Sequence, residues 1–413
     1  MDFRVELVLS VSLAAASPVM AAAQPRSENG VITLEQALRE AERSNPEIEA
    51  ARKLWEARRE RIVQVSTPDK PRLDVERMFG RSPFSGEEKS FSLTQELPFP
   101  TTLLLRRGAA SREAQGAEQA YRAKVREVLS RTRSAFSMLF LAHKSLDIFN
   151  ENVELMRRFA KSAESKYASG RASQGDALKA QVELTKMLNM VVELEAEKES
   201  SAAMLDALLG RRASGAFGVP AETAAPGLER ALEELEAEAL SGRPELKAAE
   251  IAARRAQDAL SLGRSEFLPD LMLQYRRRSD PMRGITQDGV GGFMLPLWFW
   301  KPAAMVREAK AEREMAEAEL EGMRVMTLSE VRAAYAQARA AKRLYELYRT
   351  SLIPQAEAAL SVAEAGYQSD KSSFLDLLDA QRSLLDFRVE RLRKGAEYER
   401  RLSELERAVG KRL

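Results

Sequence analysis

The chain has no cysteine and one histidine, His143, among its 413 residues. The first absence excludes disulfides and a lipid-modified N-terminal cysteine. The second leaves no carboxylate–histidine cluster at zinc-binding spacing. Charge of one sign is also missing: 64 Lys and Arg stand against 62 Asp and Glu, a formal net charge of +2. Acids and bases are interspersed, so the electrostatic footprint of a nucleic-acid-binding protein is absent. No window holds the ~20 apolar residues that a membrane-spanning helix needs, and aromatics make up only 6%. Catalytic signatures are lacking as well. Gly210-Arg-Arg-Ala-Ser-Gly215 has neither the strand nor the Lys and Ser/Thr of a phosphate loop. Glu193, Glu195, Glu197 and Glu199 alternate, which scatters them around a helix as a solvated surface. His143 reads as a helix residue rather than a ligand. No cofactor, no metal and no enzyme activity are expected.

What the chain does have is charge and repetition. Charged residues make up 31%, in long runs of Ala, Glu, Arg and Leu that read as long helices. Tyr167-Ala-Ser-Gly-Arg-Ala-Ser-Gln-Gly-Asp-Ala-Leu-Lys-Ala-Gln181 recurs as Tyr367-Gln-Ser-Asp-Lys-Ser-Ser-Phe-Leu-Asp-Leu-Leu-Asp-Ala-Gln381, with seven of fifteen positions identical. Pro46-Glu-Ile-Glu-Ala-Ala51 recurs as Pro244-Glu-Leu-Lys-Ala-Ala249, and the extended stretch from Pro71 recurs from Pro269. A repeat this long is a complete structural half. Three segments follow: 1–23 as a secretory signal, 24–226 as the first repeat and 227–413 as the second. The signal reading rests on Arg4 before the apolar Val5 to Ala16, then Ala21-Ala22-Ala23 ahead of Gln24.

Both halves show one order. A helical segment comes first (Leu34 to Ser66, Leu228 to Leu262), broken at Asn45-Pro46 and Arg243-Pro244. Two extended stretches then flank a turn: Leu73 to Phe79 and Ser90 to Leu97 around Arg81 to Gly86, and Leu271 to Arg277 and Val290 to Leu297 around Ser279 to Gly284. Phe91, Leu93 and Leu97 alternate with Ser90, Ser92, Thr94 and Glu96, and Leu271, Leu273 and Tyr275 with Asp270, Gln274 and Arg276. Period two marks a sheet with one apolar and one polar face. A very long helix comes next, Thr102 to Ala168 or Pro302 to Gln368, the second kinked by Pro354. The first carries a heptad seam from Tyr121 through Val128, Thr132, Leu139, Val153 and Met156 to Tyr167. Return helices follow, Ser173 to Leu209 and Ser373 to Leu405, each opened by a Ser-x-x-Asp capping box. Gly170 suits the left-handed helix end, whereas Asp370 in its place tolerates that geometry less well, so the second tip is expected to differ in shape.

Four strands cannot stand in lipid unless their edges close, so several copies must pool them; three would supply twelve. Phe99 after one strand pair and Trp298-Phe299-Trp300 after the other fall where strand meets long helix, as an interfacial aromatic girdle should.

Leu34-Glu-Gln-Ala-Leu38 before Asn45-Pro46-Glu47, the duplicated hairpin-then-helix order and the Tyr-x-x-Gly tip with its downstream Asp together resemble the TolC-like outer membrane efflux proteins. Leu377-Leu378-Asp379-Ala380-Gln381 after Asp376 is especially similar. Gln95-Glu-Leu-Pro-Phe-Pro100 followed by Arg106-Arg107 is similar to the subgroup serving heavy-metal pumps of the CzcC type, with Thr101-Thr102 in place of its usual Gly-Lys. The resemblance implies a mainly α fold with a small transmembrane β part, assembled as a homotrimer. Long coiled-coil hairpins and four strands per protomer would form a twelve-stranded β-barrel in outer-membrane lipid and a helical tunnel across the periplasm. It further implies a passive exit duct that meets a periplasmic adaptor directly and an inner-membrane transporter indirectly. Asp376, Asp379 and Asp176 are then candidates for the periplasmic entrance. Ser169, Gly170, Arg171 and Ser173, with Ser369, Asp370, Lys371 and Ser373, are candidates for adaptor contact. A second reading, a periplasmic coiled-coil adaptor or scaffold, needs a β-domain between its two helices. Only a short tip joins Tyr167 to Ser173, which weighs against it.

Overall fold

The computed structural model describes residues 30–78, 88–212, 218–222, 227–280 and 284–411. The proposed signal, residue Phe79 and the turn Arg81 to Gly86 lie outside them. The first half begins with β1 (Val31–Ile32), α1 (Leu34–Ser44) and α2 (Pro46–Ser66). Thr33 caps α1 in a reciprocal box with Gln36. Asn45 does two jobs at the break before Pro46. Its Oδ1 accepts from the Glu47 and Ile48 N–H groups (2.8 and 3.3 Å), and its Nδ2 donates to the Leu208 carbonyl at 2.8 Å. The hairpin β2 (Arg72–Met78) and β3 (Glu88–Leu97) leads into α3 (Pro100–Ala168), which returns as α4 (Gln174–Leu208) and ends near β4 (Val219–Pro220).

The second half repeats the order: α5 (Leu232–Gly242), α6 (Pro244–Ser265), β5 (Asp270–Asp280), β6 (Gly284–Met294), α7 (Trp300–Leu347), α8 (Ile353–Gln368) and α9 (Phe374–Val409). Between α7 and α8, Tyr348–Leu352 winds as a π-helical turn just ahead of Pro354. Proline lacks the N–H that an α-helical turn requires, and one widened turn absorbs the mismatch. At Pro354, where a kink is expected, the structure shows this π-helical turn. At Arg243, the counterpart of Asn45, no side chain caps the helix. Its guanidinium is buried instead and reaches Thr327 Oγ1 (3.3 Å) and Glu330 (2.7 Å).

The strands form one antiparallel sheet in the order β2-β3-β5-β6, so the two hairpins join through β3 and β5. The second hairpin is longer than its sequence suggests. Residues 279, 280 and 284 extend the ladder, pairing Ser279 with Ile285 and Asp280 with Gly284, whereas Leu295 to Leu297 lie beyond β6. Gly284 makes this possible by taking φ +79°, which lets β6 restart directly after the turn.

The helices bury three apolar clusters. One joins α1, α3 and α4 around Val128, Leu139 and Leu205; another lies near the tips around Met156, Leu377 and Leu378; the third joins α5, α7 and α9 around Leu235, Val331 and Leu405. The heptad seam of α3 is buried at Val128, Thr132, Ala135, Leu139, Ala142, Val153, Met156 and Ala163, and ends before Tyr167, which is exposed. At ~1.5 Å per residue, the 69 residues of α3 reach ~100 Å.

Candidate functional site

The two faces of the sheet differ, although Arg77, Lys89 and Arg277 join the apolar side toward the turns and Met272, Val290 and Met294 join the polar side. Leu73, Val75, Phe91, Leu93, Leu97, Leu271, Leu273, Tyr275 and Phe293 share one side through the ladder register. Most of them are exposed, Val75 at 68% and Phe293 at 72%. The other side carries Asp74, Glu76, Glu96, Asp270 and Asp288 against Arg72, Arg276 and Arg278. Polar partners meet there, Arg276 with Asp288 at 2.6 Å and Gln274 with Thr94 at 3.1 Å. Strands β2 and β6 leave one edge each unpaired within the chain. A continuous exposed apolar face marks a membrane or protein contact. No described helix is long and apolar enough to cross a membrane.

At the foot of the sheet, Phe99 is half-buried and its N–H donates to Asp270 Oδ1 at 3.0 Å. Trp298, Phe299 and Trp300 are exposed at 66, 65 and 57%. The rings of Trp298 and Trp300 lie 5.3 Å apart, as do those of Phe299 and Trp300. They cluster with one another on the surface, not in the core.

At the far end of the helices the two tips meet. Ser173 and Ser373 each cap a return helix in a full capping box with Asp176 or Asp376. Both tips end their outgoing helix with the same hydrogen-bond pattern, Arg171 N–H to Lys166 O and Lys371 N–H to Gly366 O, each at 2.8 Å. The expected difference in tip shape is not observed. Asp370 adopts the left-handed φ of +57°, close to the +74° of Gly170. That geometry disfavours a side chain by about 1 kcal/mol. Lys166 of the first tip offsets it, donating to Asp370 Oδ1 and to the Tyr367 carbonyl while lying 4.2 Å from the centre of the Tyr367 ring. The Lys166 ammonium holds the Asp370 carboxyl below its ordinary value.

Tyr367 is buried, and its hydroxyl lacks a hydrogen-bond partner. Burial first, then the negative charges of Asp176 and Asp370, push its pKa up. Asp376 is exposed, but its carboxylate already accepts from the Ser373 N–H (2.9 Å) and hydroxyl (2.7 Å), which lowers its pKa. Asp379, one turn on, is exposed and has Arg382 at 3.7 Å. Arg382 grips Glu183 of the first hairpin, holding that carboxyl low, and Gln381 Nε2 donates to Asn152 Oδ1 at 2.6 Å. Ser169, Gly170, Arg171, Ser173, Ser369, Asp370, Lys371 and Ser373 are all exposed. Sequence reasoning missed Lys166, Arg382 and Glu183. Lys166 directly precedes the duplicated 15-mer, where the second copy has Gly366, and that departure between copies is the signal that could have exposed it. A Cβ at 366 would meet Ser372 Oγ at 2.6 Å and its Cβ at 3.1 Å, so any larger residue there would have to displace the Ser372 side chain.

The family model for outer membrane efflux proteins matches residues 37–211 and again 235–411. The chain belongs to the outer membrane efflux protein family. It is an efflux protein of the outer membrane. The cobalt-zinc-cadmium resistance protein CzcC of Cupriavidus metallidurans is 26% identical over 404 residues, 94% of each chain. The outer membrane protein VceC of Vibrio cholerae has the same fold, with a TM-score of 0.77 at 17% identity over 92% of this chain and 96% of that one. CusC matches with a TM-score of 0.79 at 16% identity over 92% of both chains.

Among the described residues no group of three or more His, Cys, Asp or Glu is placed to hold a metal ion. His143 is half-buried on α3, and burial lowers its pKa.

Proposed function

We propose that three copies of this chain close a twelve-stranded barrel over a helical tunnel, forming the exit duct of a tripartite efflux system. One observation carries this reading: an amphipathic four-stranded sheet with an apolar outer face and two open edges tops helices ~100 Å long. Open edges cannot persist in lipid, and neighbouring copies satisfy them. The exposed tip residues, Ser169 to Ser173 and Ser369 to Ser373, dock the periplasmic adaptor, and the inner-membrane transporter connects through it. The segment 1–23 directs export, and 24–226 and 227–413 are the two halves of each protomer. Phe99, Trp298, Phe299 and Trp300 sit at the periplasmic membrane interface.

Asp376 and Asp379 ring the narrow entrance, with Asp176 behind them, and favour cations over anions. Among the residues whose side chains are described, the polar sheet face carries five carboxylates against three arginines, which supports a cation-favouring lumen. The relative named for cobalt, zinc and cadmium resistance supports divalent metal ions as cargo.

Purified protein in detergent should run as a heat-dissociable trimer and conduct in planar bilayers. Replacing both Asp376 and Asp379 with Ala should cut the cation-to-anion permeability ratio several-fold. A monomer soluble without detergent would sink the duct, and an unchanged permeability ratio would remove the two carboxylates from the entrance.

A further inference from the structure

Toward the tips the helices stand in a row. α3 packs on α4 and α9, and α9 packs on α7 and α8, so α4 ends the row on one side and α7 with α8 on the other. Each end helix buries one face in the row and leaves the opposite face free. On α4, Leu178 and Val192 are exposed, two residues from the buried Ala180 and Leu194 respectively, or ~200° round the helix. At the other end Leu347 and Val362 are exposed. Apolar side chains along the free face of an end helix mark a contact with another protein surface.

Charge distinguishes the two ends. Glu199 lies two turns beyond Val192 on the free face of α4, and Arg343 lies one turn before Leu347 on that of α7. Both are exposed, and among the described residues neither has a hydrogen bond or ion pair. Each sits in a band of its own sign. Residues 193–199 hold four glutamates against Lys198, and residues 339–349 hold Arg339, Lys342, Arg343 and Arg349 against Glu346. Glu346 is taken by Arg349 at 2.8 Å, which leaves the other three cations in excess. The bands also stand at one height. The tips are level, because Lys166 reaches across to Asp370. Glu199 follows Ser173, the cap of α4, by 26 residues, and Arg343 precedes Ser369, the cap of α8, by 26. At ~1.5 Å per residue both lie ~39 Å from the tips, and the one widened turn at Tyr348–Leu352 alters this by about a single residue's rise. The apolar residues nearly match too, with Val182 nine residues from Ser173 and Val362 seven from Ser369.

On the reading that copies of this chain close a ring, we infer that the free face of α4 docks on the free face of α7 and α8 in the next copy, with Glu199 of one pairing with Arg343 of the other. The surface joins unlike ends, so it propagates head to tail and closes as a ring, not as a two-fold pair. Two α4 faces brought together would set glutamate against glutamate, and two α7 faces arginine against arginine. Such charges add little to affinity but select the neighbour. The sheet obeys the same order, with β2 open at one edge and β6 at the other.

The test uses the full-length protein in detergent. Glu199→Arg and Arg343→Glu, made singly, should each lower the heat-dissociation temperature of the oligomer by several degrees, and E199R/R343E should recover most of the loss. The chain has no cysteine, so cross-linking gives a second measurement. Ala203 and Ala340 are exposed, each about one turn farther from the tips than Glu199 and Arg343. Mild oxidation of A203C/A340C should link copies into covalent trimers on a denaturing gel, and neither single cysteine variant should give them. If the single charge variants do not assemble, the cysteine pair decides. Single charge variants without effect, a double variant no better than the singles, or a conducting oligomer in which the cysteine pair links no copies would overturn this inference and leave the duct standing. Absence of any oligomer in the wild type defeats the ring reading and this inference with it.

Discussion

Glu399 is the carboxylate on α9 whose surroundings oppose its charge. It is half-buried beside α3, accepts from the buried Ser137 hydroxyl at 2.5 Å and lies near Arg133, itself paired with Glu406. Burial outweighs the Ser137 hydrogen bond and the Arg133 charge, and its pKa rises above the ordinary 4.5. The folded chain thus binds this proton more tightly than the unfolded one, so its contribution to stability falls as pH rises from 4.5 through the folded value. Glu399→Gln should flatten that slope and stabilise the protein at pH 7 by about 1 kcal/mol, the scale of one hydrogen-bonded group. Thermal melts between pH 4.5 and 8 decide it, and a variant with the wild-type slope would assign the titration elsewhere. Asp370 has the opposite sign. Its ion pair with Lys166 is fully present above the ordinary 3.8 and is lost only as pH falls through a still lower value, so the contact between the tips survives mild acid.

At the level of the element, the strands carry the membrane reading and their faces can be tested separately. Phe293 pairs with Leu271 on the apolar side, whereas Thr286 lies on the polar side of the same strand. Near the foot of the sheet Phe293→Arg should cost under about 1 kcal/mol, whereas Leu93→Arg, halfway up β3 on the apolar side, should cost roughly 2–4 kcal/mol if that side meets mid-bilayer lipid, and Thr286→Arg far less. The yield of heat-dissociable trimer from membranes would report the difference; a lower yield from Thr286→Arg would mean the faces are reversed, and equal yields that neither face meets lipid. The alternation at Phe91, Leu93 and Leu97 was readable in the sequence because period two survives any context with one wet and one dry side. The breaks at Pro46 and Pro244 and the caps at Ser173 and Ser373 were readable for a similar reason, since each is a local backbone requirement. Strand limits were not. Ser279, Asp280 and Gly284 have turn-like composition, yet cross-strand pairing draws them into the ladder. Tertiary contacts such as Lys166 with Asp370, or Arg382 with Glu183, span about 200 residues and leave no periodic trace.

Over the whole molecule, the two hairpins differ where they touch. Lys166 and Gly366 occupy matching places, one reaching across and the other giving room. Tyr167 is 46% exposed while Tyr367 is 7% exposed. The second tip is therefore held by the first. Lys166→Met keeps the aliphatic stem but removes the ion pair and the hydrogen bond, and should raise the resting conductance of single channels several-fold. Lys166→Arg should retain most of the wild-type value. Identical conductance in Lys166→Met would show that the contact does not restrain the entrance.

The unpaired margins of β2 and β6 have a consequence for biogenesis. On the proposed trimeric reading, a newly exported protomer would carry two adhesive backbone edges and a greasy flank through water before it found its companions. Encounters between protomers must then outpace encounters with other unfinished sheets, so overproduction should favour insoluble aggregates in the periplasm.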